Sequence, residues 1–224
     1  MNPTLIDLFE ICNHDDYYHN ADKVSYKFIE DGDTLYIYFE PSNGKIDWLH
    51  NFMFKKKPYK DMKMPYRVHK GFLKCWKTIE DVVIHKINEC DDTSNEKLWK
   101  KIIIVGYSHG GALAVLCHEC CWYHRPDIRD NIKTIAFEGP RVYGAFRVKK
   151  KLRERWKNFR MLRNSTDIVT HLPPVIFGYT HVGSVIKINN KNKIHFIQNH
   201  TREAVKESLQ SYPHNEDWET ALFE

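Results

Sequence analysis

The run Ile102-Ile103-Ile104-Val105-Gly106-Tyr107-Ser108-His109-Gly110-Gly111-Ala112-Leu113-Ala114 decides the fold. Its first four residues are apolar without alternation, the pattern of a strand covered on both faces, which is usual in parallel sheets. Residues 112–123 then read as a helix. Ser108 therefore sits in a sharp strand-to-helix turn, where a strained backbone requires small residues two positions to either side. Gly106 and Gly110 meet that requirement. A serine held this way stands above the carboxyl edge of the sheet, and the N–H of His109 at the helix start faces any negative charge that develops there. Ser108 is the candidate nucleophile. The His109 imidazole points away from the hydroxyl in such a turn, which leaves it a packing or pocket-lining role.

Outward from this turn the same alternation continues. Residues 134–137 form a second buried run, 146–156 a helix, 159–162 a third strand, 182–188 a further strand and 204–209 a last helix. Strand and helix in strict succession imply right-handed crossovers and an α/β layered fold with a mostly parallel sheet. Upstream, Leu5, Ile6, Leu8, Phe9 and Cys12 mark a helix. Two strands near 24–28 and 35–39 turn through Asp31-Gly32-Asp33. Residues 46–54 and 72–88 read as helices.

The 224 residues show no repeat or linker and are expected to form one domain. The charge of +5 is mild and spread out; the runs Lys55-Lys56-Lys57 and Lys149-Lys150-Lys151 lie in no nucleic-acid module, so no nucleic-acid partner is expected. The first run, beside aromatics, suits transient contact with an anionic lipid surface. No basic, apolar leader opens the sequence and no apolar run is long enough to span a bilayer, so synthesis as an intracellular protein with free thiols is expected for the six cysteines. Cys117, Cys120 and Cys121 share one helical face and read as packing residues, with no metal or organic cofactor expected.

Several motifs in order identify the chain as similar to the class 3 (fungal-type) lipase family, from about Tyr36 to the C-terminus. They are Tyr38-Phe39 with Ser42 and Asp47-Trp48, Val68-His69-Lys70-Gly71-Phe72, the serine turn, and Gly139-Pro140-Arg141-Val142. Asn164-Ser165-Thr166-Asp167-Ile168-Val169, Leu172-Pro173-Pro174 and Tyr179-Thr180-His181-Val182-Gly183 complete the set. The resemblance implies α/β-hydrolase architecture and lipase or carboxylic-ester hydrolase activity on acyl glycerides or related esters. The alternative is a non-catalytic lipid-binding or structural protein that retains the fold.

A serine hydroxyl needs a base, and the base an orienting carboxylate, in the chain order Ser, acid, His for this architecture. Asp167 follows a strand end, in the loop where such an acid must sit, and matches the family's aspartate. Five later histidines compete: His171, His181, His195, His200 and His214. His171 is too close to Asp167, and cap or surface roles suffice for His195 and His200. His214, in a near-terminal loop ahead of Trp218, is similar to the family's base; His181, similar to a pocket histidine, is the alternative. The resemblance also implies an oxyanion hole from Ser42 and the N–H of His109. Glu40-Pro41 and Glu138 depart from the family there, standing where Arg-Gly and a glycine are usual. Trp48, Leu49, Phe52 and Met53 form a stripe that packs in a core or, by the resemblance, lines a lid over the acyl site.

Overall fold

The computed structural model describes residues 3–14, 16–20, 24–41, 54–59, 66–164, 166–189 and 198–224. Ser42, His195 and the stripe at 48–53 lie outside the described residues.

The expected alternation is present. After helix α1 (Leu5–Ile11) come strands β1 (Tyr18–His19), β2 (Ser25–Asp31) and β3 (Thr34–Phe39), then a hairpin of β4 (Lys56–Tyr59) and β5 (Tyr66–His69). Helices α2 (Lys70–Lys77) and α3 (Glu80–Ile87) follow. Strand β6 (Lys101–Tyr107), helix α4 (His109–His124), strand β7 (Ile132–Phe137), short helix α5 (Lys150–Arg153) and strand β8 (Phe159–Asn164) continue the chain. Strand β9 (Ser184–Asn189) and helices α6 (Arg202–Gln210) and α7 (Trp218–Phe223) complete it. The main sheet runs β1-β2-β3-β6-β7-β8-β9. Only the pairings β1–β2 and β2–β3 are antiparallel; every later neighbour pairs in parallel.

The unbroken apolar run in β6 is explained by two cores. Ile102 and Ile104 face the core under α2, α3 and α4, whereas Ile103 and Val105 face the one under α1, α6 and α7. β3 divides likewise, with Leu35, Ile37 and Phe39 on one side and Tyr36 and Tyr38 on the other. The first core is anchored by the fully buried Trp76 and Trp156; replacing either by alanine would cost about 3–5 kcal/mol. Cys117, Cys120 and Cys121 are buried in it as free thiols. His118 on the same helix donates from Nε2 to the Arg155 carbonyl and accepts from Thr134 Oγ1 at Nδ1, both at 2.7 Å.

Two expected helices differ. The 72–88 stretch is two helices, because Thr78 closes α2: its hydroxyl donates to the Cys75 carbonyl and its N–H turns back to Cys75. The 146–156 helix begins only at Lys150. Residues before it are drawn into pairing, with Tyr143 bridging Val68 and Thr180 and the Gly144 N–H donating to Arg67.

Candidate functional site

Ser108 stands at the turn between β6 and α4 with φ 55° and ψ −117°, a left-handed conformation for a residue bearing a side chain. The glycines on either side are required by close backbone approach. A Cβ on Gly106 would lie 2.2 Å from the Gly110 carbonyl oxygen, and one on Gly110 would lie 2.2 Å from that of Phe39. The turn is locked from below by the Ser108 N–H, which donates to the Phe137 carbonyl at 2.9 Å.

Asp167 is buried in the loop after β8. Its Oδ1 accepts the Val169 N–H at 2.8 Å. The loop itself is pinned by Arg141, whose guanidinium donates to the carbonyls of His171 and Pro173. Gly139-Pro140-Arg141 thus acts as a brace for the acid loop.

The histidine between these two groups is His200. Its Nδ1 lies 2.7 Å from Asp167 Oδ2, and its Nε2 lies 2.8 Å from Ser108 Oγ. A carboxylate only accepts, so the Nδ1 proton is donated to Asp167 and Nε2 is left to accept from the serine hydroxyl. His200 closes a single-turn helix (Gln198–His200) between β9 and α6. Tyr107, the residue before the serine, stacks on its ring at 5.4 Å between centroids and donates its hydroxyl to the His200 carbonyl. Asn164 at the end of β8 donates to the Asn199 carbonyl at 2.9 Å and accepts from Ser208 of α6 at 2.7 Å. The acid strand, the histidine turn and the last helix crossover are therefore tied together by one amide.

The expectation for His214 is corrected. Its imidazole is half exposed and turns to Asp217. It lies after α6, which carries the chain back along the sheet by about 13 Å at 1.5 Å per residue. The next helix confirms the direction: Glu219 of α7 pairs with Lys101 and Lys133, at the amino ends of β6 and β7. Ser108 is at the opposite, carboxyl edge. His181 is no substitute, since its Nε2 donates to the Thr170 carbonyl at 2.8 Å and burial lowers its pKa to about 3. His171 turns its Nδ1 to the Asp167 carbonyl.

As the first residue of α4, His109 has an N–H without an intrahelical partner. Its ring packs toward Phe72, away from the serine, and burial lowers its pKa to about 4. Phe39 and Glu40 run directly against Gly110, the next residue of this helix. Glu138 stands between β7 and Gly139 at φ 50°, buried, accepting the Asn164 N–H. A hydroxyl, an imidazole and a buried carboxylate hydrogen-bonded in series can move a proton off the hydroxyl as it attacks an electrophile, and return it to a leaving group.

The structure brings Ser108 and Asp167 together through His200, which sequence reasoning had read as a cap or surface residue, and leaves His214 apart from them. A signal was available in the topology. Ser108 follows β6, Asp167 follows β8, and His200 is on the strand-to-helix connection after β9, so all three occupy carboxyl-edge loops.

A family model, "Lipase (class 3)", matches residues 36–177, more than half of the chain. The match stops short of His200. A lipase of Rhizomucor miehei is 26% identical over 150 residues, covering 67% of this chain and 40% of the relative. "Secreted mono- and diacylglycerol lipase 1" of Fusarium solani is 27% identical over 135 residues, covering 60% of this chain and 38% of its own length. The chain thus spans about 40% of the length of the curated relatives it matches. A solved triacylglycerol lipase, described as having a serine protease triad as its catalytic centre, superposes with a TM-score of 0.63 at 24% identity, covering 78% of this chain and 65% of that one. Its likeness shows the shared α/β-hydrolase fold. On the extent of the family match, carried by the same fold, the chain belongs to the class 3 lipases.

Proposed function

We propose that the chain is a serine ester hydrolase acting on acyl glycerides or related lipid esters. The observation that carries this reading is the unbroken path of hydrogen bonds from Ser108 Oγ through His200 to buried Asp167. Ser108 Oγ attacks the ester carbonyl as its proton passes to His200 Nε2. The imidazolium is held in orientation by Asp167, and the oxyanion is received by the N–H of His109 with Ser42 as second donor. His200 then gives its proton to the leaving alkoxide, which departs as the alcohol. Water, deprotonated by the same imidazole, attacks the acyl-serine and releases the acid. Glycerides are favoured because relatives are named as lipases, one of them for mono- and diacylglycerols.

The exposed tip Val175-Ile176-Phe177 supports transient contact with a lipid surface. The buried thiols of Cys12, Cys117, Cys120 and Cys121, held outside any disulfide, support residence in a reducing, intracellular compartment. Among the described residues no helix is long and apolar enough to cross a membrane.

The test is labelling with a fluorophosphonate probe, followed by a screen of p-nitrophenyl esters and defined glycerides. Labelling and hydrolysis that both vanish in Ser108→Ala are expected. A folded wild-type chain that takes no label and cleaves no ester would show a fold kept without its chemistry.

A further inference from the structure

The relay leaves one of its neighbours unexplained. Glu138 is fully buried and sits at φ 50°, a backbone that costs a side-chain-bearing residue about 1–2 kcal/mol relative to glycine. Glycine would fit this backbone better, so what the position gains is the carboxyl group. One oxygen, Oε1, accepts the Asn164 N–H at 2.5 Å. The other, Oε2, is buried and meets no donor. The Asp167 carboxyl is a side-chain neighbour within hydrogen-bonding reach of the Glu138 carboxyl. A buried carboxyl oxygen with no donor to accept from, and an acceptor next to it, is satisfied by carrying the proton itself.

We propose that Glu138 is a positioning residue: a neutral carboxylic acid that donates its O–H to Asp167 and so steadies the carboxylate that orients His200. The inference rests on the Ser108–His200–Asp167 reading. The charged and titratable groups around Glu138 are Asp167 in the acid loop, Arg163 on β8 and Tyr107 at the end of β6. Arg163 favours the ionised form, but burial first, and the Asp167 charge second, hold the Glu138 pKa well above the usual carboxylate range. Two carboxyls then share one proton, and the pair carries the single negative charge that a protonated His200 requires. Loss of that proton at high pH would set two charges against each other in a sealed interior.

The proton can be read without turnover. Infrared difference spectra of the whole chain at neutral pH, wild type against Glu138→Gln, should show a protonated-carboxyl C=O stretch that the variant lacks. Its absence from the wild type overturns the proposal, whatever the hydrolytic activity. Glu138→Gln keeps a neutral donor and an acceptor, so kcat/KM should stay within about 3-fold and the acid limb of the pH profile should not move. A limb displaced downward by about one pH unit or more would mean that a negative charge had been removed beside His200, and that Glu138 was ionised. Glu138→Gly relieves the backbone and removes the donor, so a folded protein with kcat down about 10-fold at unchanged KM is expected. Wild-type kcat in that variant would show that the carboxyl positions nothing. If the wild type cleaves no ester, the hydrolytic reading fails separately, and the infrared band still reports whether Glu138 holds the proton.

Discussion

His200 shows how far individual residues could be read. Ser108 and Asp167 are local signals: a serine between glycines at a strand end, and an aspartate just past a strand. A base has no such mark, because an imidazole reaches a hydroxyl from any loop on the right edge of the sheet. His200 is followed by Thr201, whose hydroxyl caps α6 by accepting the Ala204 N–H, and from sequence the histidine reads as part of that cap. What distinguishes it is its place on the carboxyl edge, with both ring nitrogens engaged. Removing it should therefore abolish proton transfer from Ser108 while leaving the serine turn intact. His200→Ala is expected to lower kcat by about 10³-fold or more, with little change in thermal stability. His214→Ala, altering a half-exposed ring at the amino edge, should keep turnover within about 2-fold. Steady-state kinetics on one soluble ester would decide between them, and a reversed order would return the base to His214. The other residue-scale surprise, Glu138, was visible as a departure from its family. Its partners were not, since Asn164 and Asp167 are distant in sequence and meet it only through the order β7-β8.

Elements were legible wherever burial was complete on both faces, and less so where polar contacts override periodicity. β6, β7 and α4 follow from apolar runs too long to expose. The break between α2 and α3 depends on the Thr78 hydroxyl, and the late start of α5 on a ladder formed by Tyr143 with residues far away in the chain. The hairpin β4–β5 was not anticipated, because β4 carries two lysines and a proline and the alternation in β5 is limited to Tyr66 and Val68 about Arg67. The junction of β8, the Gln198–His200 turn and α6 matters most for the site, and one side chain joins it. Asn164 is buried, donates to the Asn199 carbonyl and accepts the Ser208 hydroxyl. Asn164→Ala would leave the Asn199 carbonyl and the Ser208 hydroxyl without this partner, at about 1–3 kcal/mol. It would also loosen the turn that carries the imidazole, leaving it to the Tyr107 and Thr166 hydroxyls. We expect a lower unfolding midpoint in urea together with kcat reduced about 10-fold at little-changed KM, because the substrate does not touch Asn164. A stability loss with full kcat would show that α6 is merely packed there, and that the histidine turn holds its place by other means.

At the scale of the whole molecule, the sheet orients everything else: α1, α6 and α7 cover one face, α2, α3 and α4 the other, and the reactive loops are left at one edge. Beyond Asp167 that edge carries a feature no sequence pattern could reveal, because apolar residues after two prolines read equally well as core. Ile176 is 79% exposed and Phe146 is 69% exposed, with Val175 and Phe177 about half exposed beside them. They are close together: Phe54 stacks on Phe177 at 4.6 Å, and Gly178 lies against the ring of Phe146. Lys56 flanks the group, its ammonium over the Tyr179 ring at 4.8 Å. Apolar side chains flanked by a lysine suit a lipid surface with anionic headgroups, the side chains entering the acyl boundary while Lys56 stays at headgroup level. Since this tip directly follows the acid loop, whose His171 and Pro173 carbonyls Arg141 holds, docking through it would bring the serine turn toward the same surface. Burying one isoleucine is worth about 2 kcal/mol, and placing a carboxylate there adds repulsion from anionic lipid. Ile176→Asp should accordingly weaken sedimentation with anionic vesicles by about 10-fold or more and slow cleavage of vesicle-borne glycerides in proportion. Turnover of a soluble p-nitrophenyl ester should be unchanged, because Ile176 is outside the relay and already in water. Equal losses on both substrates would mean that the loop supports the acid rather than the membrane contact, and undiminished vesicle binding would mean that lipid is met by another face.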